Sequence, residues 1–183
     1  MFLQTPIGVL SFSACVHDRE IPADEVLFKH AQLKPHLPPG MSVDSLDAVL
    51  IELKPHFSLQ AVMISCKWLS NPGPWHDRPT GECLDAQSWV SDNKLVLIGT
   101  EDFDSLAGRL KEHGLFGEPS PTNHCVNYCD DGFEIVLPQV PAHQITSLHF
   151  IVASNQYPEP VDCSAWYAVD VPHRLARAGA GEG

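Results

Sequence analysis

The stretch Thr122–Pro138, TNHCVNYCDDGFEIVLP, sets His124, Cys125, Cys129, Asp130 and Asp131 close together. On a helix, Cys125 and Cys129 would share a face and could hold one metal ion or couple to each other. Asp130-Asp131-Gly132 is turn chemistry, however, and Phe133–Leu137 behind it is strand-like, so the unit reads as a β-hairpin. Residues four apart on a strand are separated by ~13 Å at ~3.3 Å per residue. One zinc ion with ~2.3 Å bonds to sulfur cannot reach both. The expectation is a structural hairpin without a metal.

A second chemical grouping lies in the loop Ser70–Gln87, SNPGPWHDRPTGECLDAQ, which carries Trp75, His76, Asp77, Glu82, Cys83 and Asp85. Long irregular loops in compact domains often carry function. His76 could serve as a base, or with the carboxylates bind a hard cation, which is the alternative reading of a small hydrolase using residues 75–85, metal-assisted or not. No spacing here is diagnostic. The preferred reading is a recognition loop in which Trp75 anchors a partner and Asp77 adds charge. Further along, Asp162-Cys163-Ser164 resembles the nucleophile segment of papain-like cell-wall peptidases, which implies a cysteine nucleophile opening a helix. The match covers three residues. That family places its catalytic histidine well downstream, whereas twenty residues follow Cys163 and His173 is the histidine among them. Cys163 therefore receives no role. The ten histidines are scattered, no two standing four apart on a plausible helix, and neither GxGxxG nor GxxxxGK[ST] occurs. No cofactor, metal or catalytic residue is expected.

Charge carries more information. Eleven Lys and Arg face 23 Asp and Glu, a net charge of −12. No Lys or Arg lies between Lys111 and Arg174, an interval that holds Glu112, Glu118, Asp130, Asp131, Glu134, Glu159, Asp162 and Asp170. Nucleic acid is a poor partner for such a chain, because binding it requires clustered basic residues that displace counterions. A basic protein is a better one, since a single-signed field steers opposite charge.

Several elements can be read that would position these groups. Residues 7–16, 58–69 and 93–100 read as strands. IPADEVLFKHAQLKP, with Pro22 able to open a helix and Asp24 and Glu25 in its first turn, reads as helical. So does SVDSLDAVLIELKP, where Leu46, Val49, Leu50 and Leu53 follow helical spacing, although its run AVLIEL also fits a buried strand. Both end in Leu-Lys-Pro-His, read as two helix stops. TEDFDSLAGRLKEHG has a stripe of Phe103, Leu106, Ala107 and Leu110, an acidic start, a basic end and Gly114 as its stop. Strands follow near 123–129, 133–138, 145–153 and 164–171, and the chain decays into a low-complexity tail.

The 183 residues, 44% hydrophobic, suffice for one core without staples. The fold class expected is α+β: a single domain over residues 1–172, a mixed, mainly antiparallel sheet packed by two or three helices, and a flexible tail over 173–183. The apolar start MFLQTPIGVLSFSAC lacks the basic residues of an export signal before Arg19, and no apolar run approaches the ~20 residues of a membrane span. The six cysteines are then free thiols in the cytoplasm. The function expected is an acidic protein-binding module of the immunity or antitoxin type. It would neutralise a basic toxin or effector through Asp130, Asp131, Glu134, Glu159, Asp162, Trp75 and Asp77.

Overall fold

The computed structural model describes residues 1–70, 72–81, 83–111 and 125–181. Among them the strands are β1 (Phe2–Thr5), β2 (Gly8–Val16), β3 (Arg19–Glu20), β4 (Val26–Gln32), β5 (Ser45–Leu53), β6 (Leu59–Trp68), β7 (Trp75–Asp77), β8 (Leu84–Ser91) and β9 (Lys94–Glu101). Helix α1 (Phe103–Lys111) follows, then β10 (Val126–Cys129), β11 (Gly132–Val140), β12 (Thr146–Gln156), α2 (Ser164–Val169) and α3 (His173–Gly181). Strand predominates, and the helices are few and short.

Two antiparallel sheets replace the single mixed sheet expected. One runs β1-β2-β6-β11-β10 with β3 beside β2, and the other β4-β5-β12-β9-β8-β7. They stack face to face through alternating side chains. Leu10, Phe12, Ile64, Cys66, Phe133 and Ile135 of the first meet Val49, Ile51, Val96, Ile98, Phe150 and Val152 of the second in one core, joined by Leu106 and Leu110 of α1. Aromatic rings cross the interface at Phe12–Phe150 (5.8 Å), Phe133–Phe150 (6.4 Å) and Trp68–Trp89 (5.5 Å), separations at which tilted rings attract.

The second sheet is buried on its other face too. Leu46, Ala48, Leu84, Ala86, Leu95, Leu97, Ile151 and Ala153 pack there against Ala165, Ala168 and Val169 of α2 and Ala176 of α3. Residues 26–32 and 45–53, expected as helices, are β4 and β5. In β5 the buried Leu46, Val49, Leu50 and Leu53 belong to both faces of a strand yet also fit helical spacing, whereas β4 is an edge strand with exposed Leu27 and His30. Conversely, residues 164–171, expected as a strand, open with α2, whose buried Ala165, Ala168 and Val169 follow i, i+3, i+4. The segment 173–183, expected as a flexible tail, forms α3 up to Gly181. Its Ala and Gly content permits close approach: a Cβ on Gly179 would lie 2.5 Å from Leu33 Cδ2.

Other expectations match the fold. The hairpin at Asp130-Asp131 joins β10 to β11 with Cys129 paired to Gly132. Gly132 is required twice over, by φ of 146° and by a Cβ position 2.0 Å from the Cys66 carbonyl oxygen. Helix α1 is capped by Asp102, whose carboxylate accepts from Ser105 N–H at 2.8 Å. Its expected stop, Gly114, lies outside the described residues. No helix among the described residues is long and apolar enough to cross a membrane.

Phe150, fully buried between two aromatic neighbours of the opposite sheet, is the core's keystone. Phe150→Ala should cost about 3–5 kcal/mol in urea unfolding. Leu27→Ala, on a side chain 51% exposed, should cost under about 1 kcal/mol.

Candidate functional site

Three of the acids singled out in the sequence meet in one cleft. Asp77 ends β7, while Glu159 and Asp162 lie in the connection from β12 to α2. With the aromatic walls Tyr157, Trp166 and Tyr167 they line a cleft of about 440 Å³. No Lys or Arg lines it among the described residues. The carboxylates are fixed by local bonds. Asp77 Oδ1 accepts from Arg78 N–H at 2.8 Å, and Asp162 Oδ1 from Cys163 N–H at 3.0 Å. Glu159 Oε1 accepts from Asn155 Nδ2 and from Ala165 N–H, both at 2.8 Å, so it also holds the start of α2. His76 stands edge-on to Tyr157 at 5.0 Å, its Nε2 3.2 Å from the hydroxyl.

The remaining expected residues sit beside this cleft or on the other sheet. Trp75 is 39% exposed on β7, with the Arg78 guanidinium 4.3 Å above its ring. The same guanidinium is 3.8 Å from Asp130, so the hairpin tip reaches the rim of the cleft. Asp131 is a turn residue whose carbonyl accepts from Trp68 N–H at 2.9 Å. Glu134 is paired with Lys67 at 2.6 Å, a contact that neutralises its charge locally. Glu82, Glu112 and Glu118 lie outside the described residues. All six cysteines are unpaired. Burial pushes the Cys125 thiol up to about 12. Burial, then the charges of Asp162 and Glu159, raises Cys163 as well. A protonated thiol is a poor nucleophile, so Cys163, although it precedes a helix as in the peptidases it resembles, lacks an activated state.

The sequence reading missed a second grouping, Glu101, His149 and His173. The antiparallel register that pairs Ile151 with Gly99, continued two residues, sets His149 across from Glu101 on the outer face of the second sheet. Helix α3, packed on that face, brings its first residue, His173, onto both. His149 Nδ1 and His173 Nδ1 are 3.0 Å apart, and Glu101 Oε2 lies 3.7 Å from the first and 3.9 Å from the second. Arg109 of α1 holds the carboxylate with Nε on Oε1 at 2.9 Å and a second bond to Oε2. Among the described residues this is the group of His, Cys, Asp and Glu whose ligand atoms converge, all within 4.8 Å. A cavity of about 360 Å³ opens beside it, with Cys83, Ser105, Asp170 and Arg174 on its walls.

Hydrogen-bond chemistry dictates the protonation pattern. His149 Nε2 lies 3.1 Å from the Val171 carbonyl oxygen, which only accepts, so the proton of a neutral His149 sits on Nε2. Its Nδ1 lone pair then accepts from His173 Nδ1–H, and His173 Nε2 accepts from the Ser147 hydroxyl at 2.9 Å. Burial drives His149 down to about 4, with Glu101 opposing and Arg109 assisting. Burial followed by the positive charge of Arg109 lowers His173 to about 3. Burial by itself would raise the Glu101 carboxyl, but the hydrogen bond and positive charge of Arg109 hold it below the usual range. One sequence signal pointed here: a histidine inside the otherwise apolar run LHFIVA of a strand buried on both faces. Its partners, 48 and 24 residues away, had no local signature.

No family model, curated protein or solved structure matches this chain.

These shifts fix the acid response. Unfolded, both imidazoles take up protons near pH 6.5, whereas folded they wait until about 4 and 3, so the unfolded state binds more protons in between. Stability should therefore hold above pH 6.5 and fall below it. Each histidine contributes up to about 1.4 kcal/mol per pH unit. Urea unfolding from pH 7 to 4.5 measures the slope, and His149→Asn should remove about half of it.

Proposed function

We propose that the protein is a binding module for a basic protein partner, which it occupies as an inhibitor occupies a toxin or effector. The observation that carries this reading is the convergence of Asp77, Glu159 and Asp162 in an aromatic-walled cleft without a lining Lys or Arg among the described residues. Carboxylates supply charge for a lysine or arginine side chain, and the rings of Tyr157, Trp166 and Tyr167 supply the faces on which such a cation is stabilised. The net charge of −12 supports long-range attraction of the same partner. Trp75 and Asp130 at the rim, with Asp131 and Glu134 further along the hairpin, extend the contact. The six unpaired cysteines support a reducing compartment, the cytoplasm, as the place of action.

Cleft and hairpin should differ kinetically. Buried charges in an interface act on dissociation, rim charges on association and salt dependence. Capture of the basic partner from a native lysate at low salt supplies the ligand for rate measurements, and acetyl-arginine amide serves as a small probe of the cleft by NMR. Asp77→Lys with Asp162→Lys should weaken partner binding more than tenfold, mostly through faster release, and abolish the arginine-induced shifts of the Trp166 and Tyr157 rings. Asp130→Lys with Asp131→Lys should slow association and leave those shifts in place. If the cleft variant binds partner and probe as tightly as the parent, the cleft is not the recognition site.

A further inference from the structure

The strongest unexplained feature is the polar cluster beneath α3. Two imidazoles and a carboxylate are placed where the helices cover an otherwise apolar face, next to a cavity that the basic-partner reading does not use.

We propose that Glu101, His149 and His173 form a binding site for one first-row divalent metal ion of the zinc class, with an open coordination position facing the adjacent cavity. The geometry is the first argument. From separations of 3.0, 3.7 and 3.9 Å, the point equidistant from the three ligand atoms lies about 2.1 Å from each, which is the length of a zinc bond to imidazole nitrogen or carboxylate oxygen. The donor set is the second. Two neutral imidazoles and one carboxylate are the protein ligands of an open, three-ligand site, as opposed to the closed four-ligand site of a structural ion.

The surroundings are the third. Metal-ligating histidines donate their other ring N–H to a carbonyl or comparable acceptor, and ligating carboxylates are themselves hydrogen-bonded. His149 Nε2–H already donates to Val171 O, and Arg109 already holds Glu101. His173 needs one adjustment. Its proton moves from Nδ1 to Nε2, and the Ser147 hydroxyl turns from donor to acceptor, both within the 2.9 Å contact that exists. No proton leaves the site, because the imidazoles are neutral and the carboxylate ionised before and after. Arg109 opposes a cation by its charge while fixing the carboxylate by its two bonds. Asp170 on the cavity wall offsets part of that charge.

The cavity gives the ion a use. With Cys83, Ser105 and Arg174 around the open position, a water or a small anionic ligand can complete the coordination shell. This inference is independent of the basic-partner reading: the residues, the cavity and the probes are different, and either can fail alone.

The test uses the full chain, stripped with a chelator and titrated with Zn²⁺ by calorimetry. The expected result is saturable one-to-one binding, weakened at least a hundredfold by His173→Ala and by Glu101→Gln, and about tenfold by Ser147→Ala, which removes only the group that orients His173. His143→Ala, at an exposed turn, should bind as the parent does. Should a ligand variant fold poorly, imidazole NMR of the unmutated chain decides: Zn²⁺ must move the signals of His149 and His173 and leave that of His143. Absence of one-to-one uptake, unchanged affinity in both ligand variants, or shifts confined to other histidines would overturn the proposal.

Discussion

The burial of the second sheet on both faces is the constraint from which most else follows. Its inner face meets the first sheet through Val49, Ile51, Phe150 and Val152, and its outer face meets α2 and α3 through Leu46, Ala48, Ile151 and Ala153. The ten residues of β12 from Thr146 to Asn155 are all buried. A polar side chain on that strand cannot turn to solvent, so it must find partners within the protein or destabilise it. Ser147 and His149 find theirs in His173 and the Val171 carbonyl, and Glu101 finds Arg109. The buried polar network is thus a consequence of layering, and its position beneath α3 follows from which strands lie at the centre.

The same layering separates two candidate regions. The cleft of Asp77, Glu159 and Asp162 forms where β7, at the edge of the second sheet, approaches the connection into α2. It is open, acidic and aromatic, suited to a cationic side chain. The imidazole pair is nearly closed off, and its rings are held neutral by burial. One region presents charge outward, and the other holds lone pairs inward. Glu159 ties the cleft to the fold, since the oxygen that adds charge to the cleft also accepts the Ala165 N–H at the start of α2. Changes at Glu159 therefore act on the charge of the cleft and on the start of α2 together.

The sequence disclosed elements whose periodicity matched a single exposed or buried face. Strands β2 and β6, helix α1 and the β10–β11 hairpin were legible for that reason, the last from Asp130-Asp131-Gly132. Strands β9 and β12, covered on both faces, were legible from continuous apolar runs, whereas in β5 Leu46, Val49, Leu50 and Leu53, drawn from both faces, also satisfy a helical template. Small residues misled in the opposite sense, since Ala176, Gly179 and Ala180 suggested a loose tail while their size lets α3 lie close to the sheet. Asp77, Glu159 and Asp162 were named from composition, but their meeting in one cleft depends on strand order, which no local pattern encodes. The union of Glu101 with His149 depends on strand register, and that of either with His173 on the docking of α3. Neither was accessible before the topology.

Packing on both faces of the second sheet keeps a neutral, directionally ordered imidazole pair on its outer face. Long-range ¹H–¹⁵N NMR of the histidine rings in the full chain near pH 6 reads that state directly. His149 should be neutral with its proton on Nε2, and His173 neutral beside it. An imidazolium at either position, or a His149 proton on Nδ1, would contradict it.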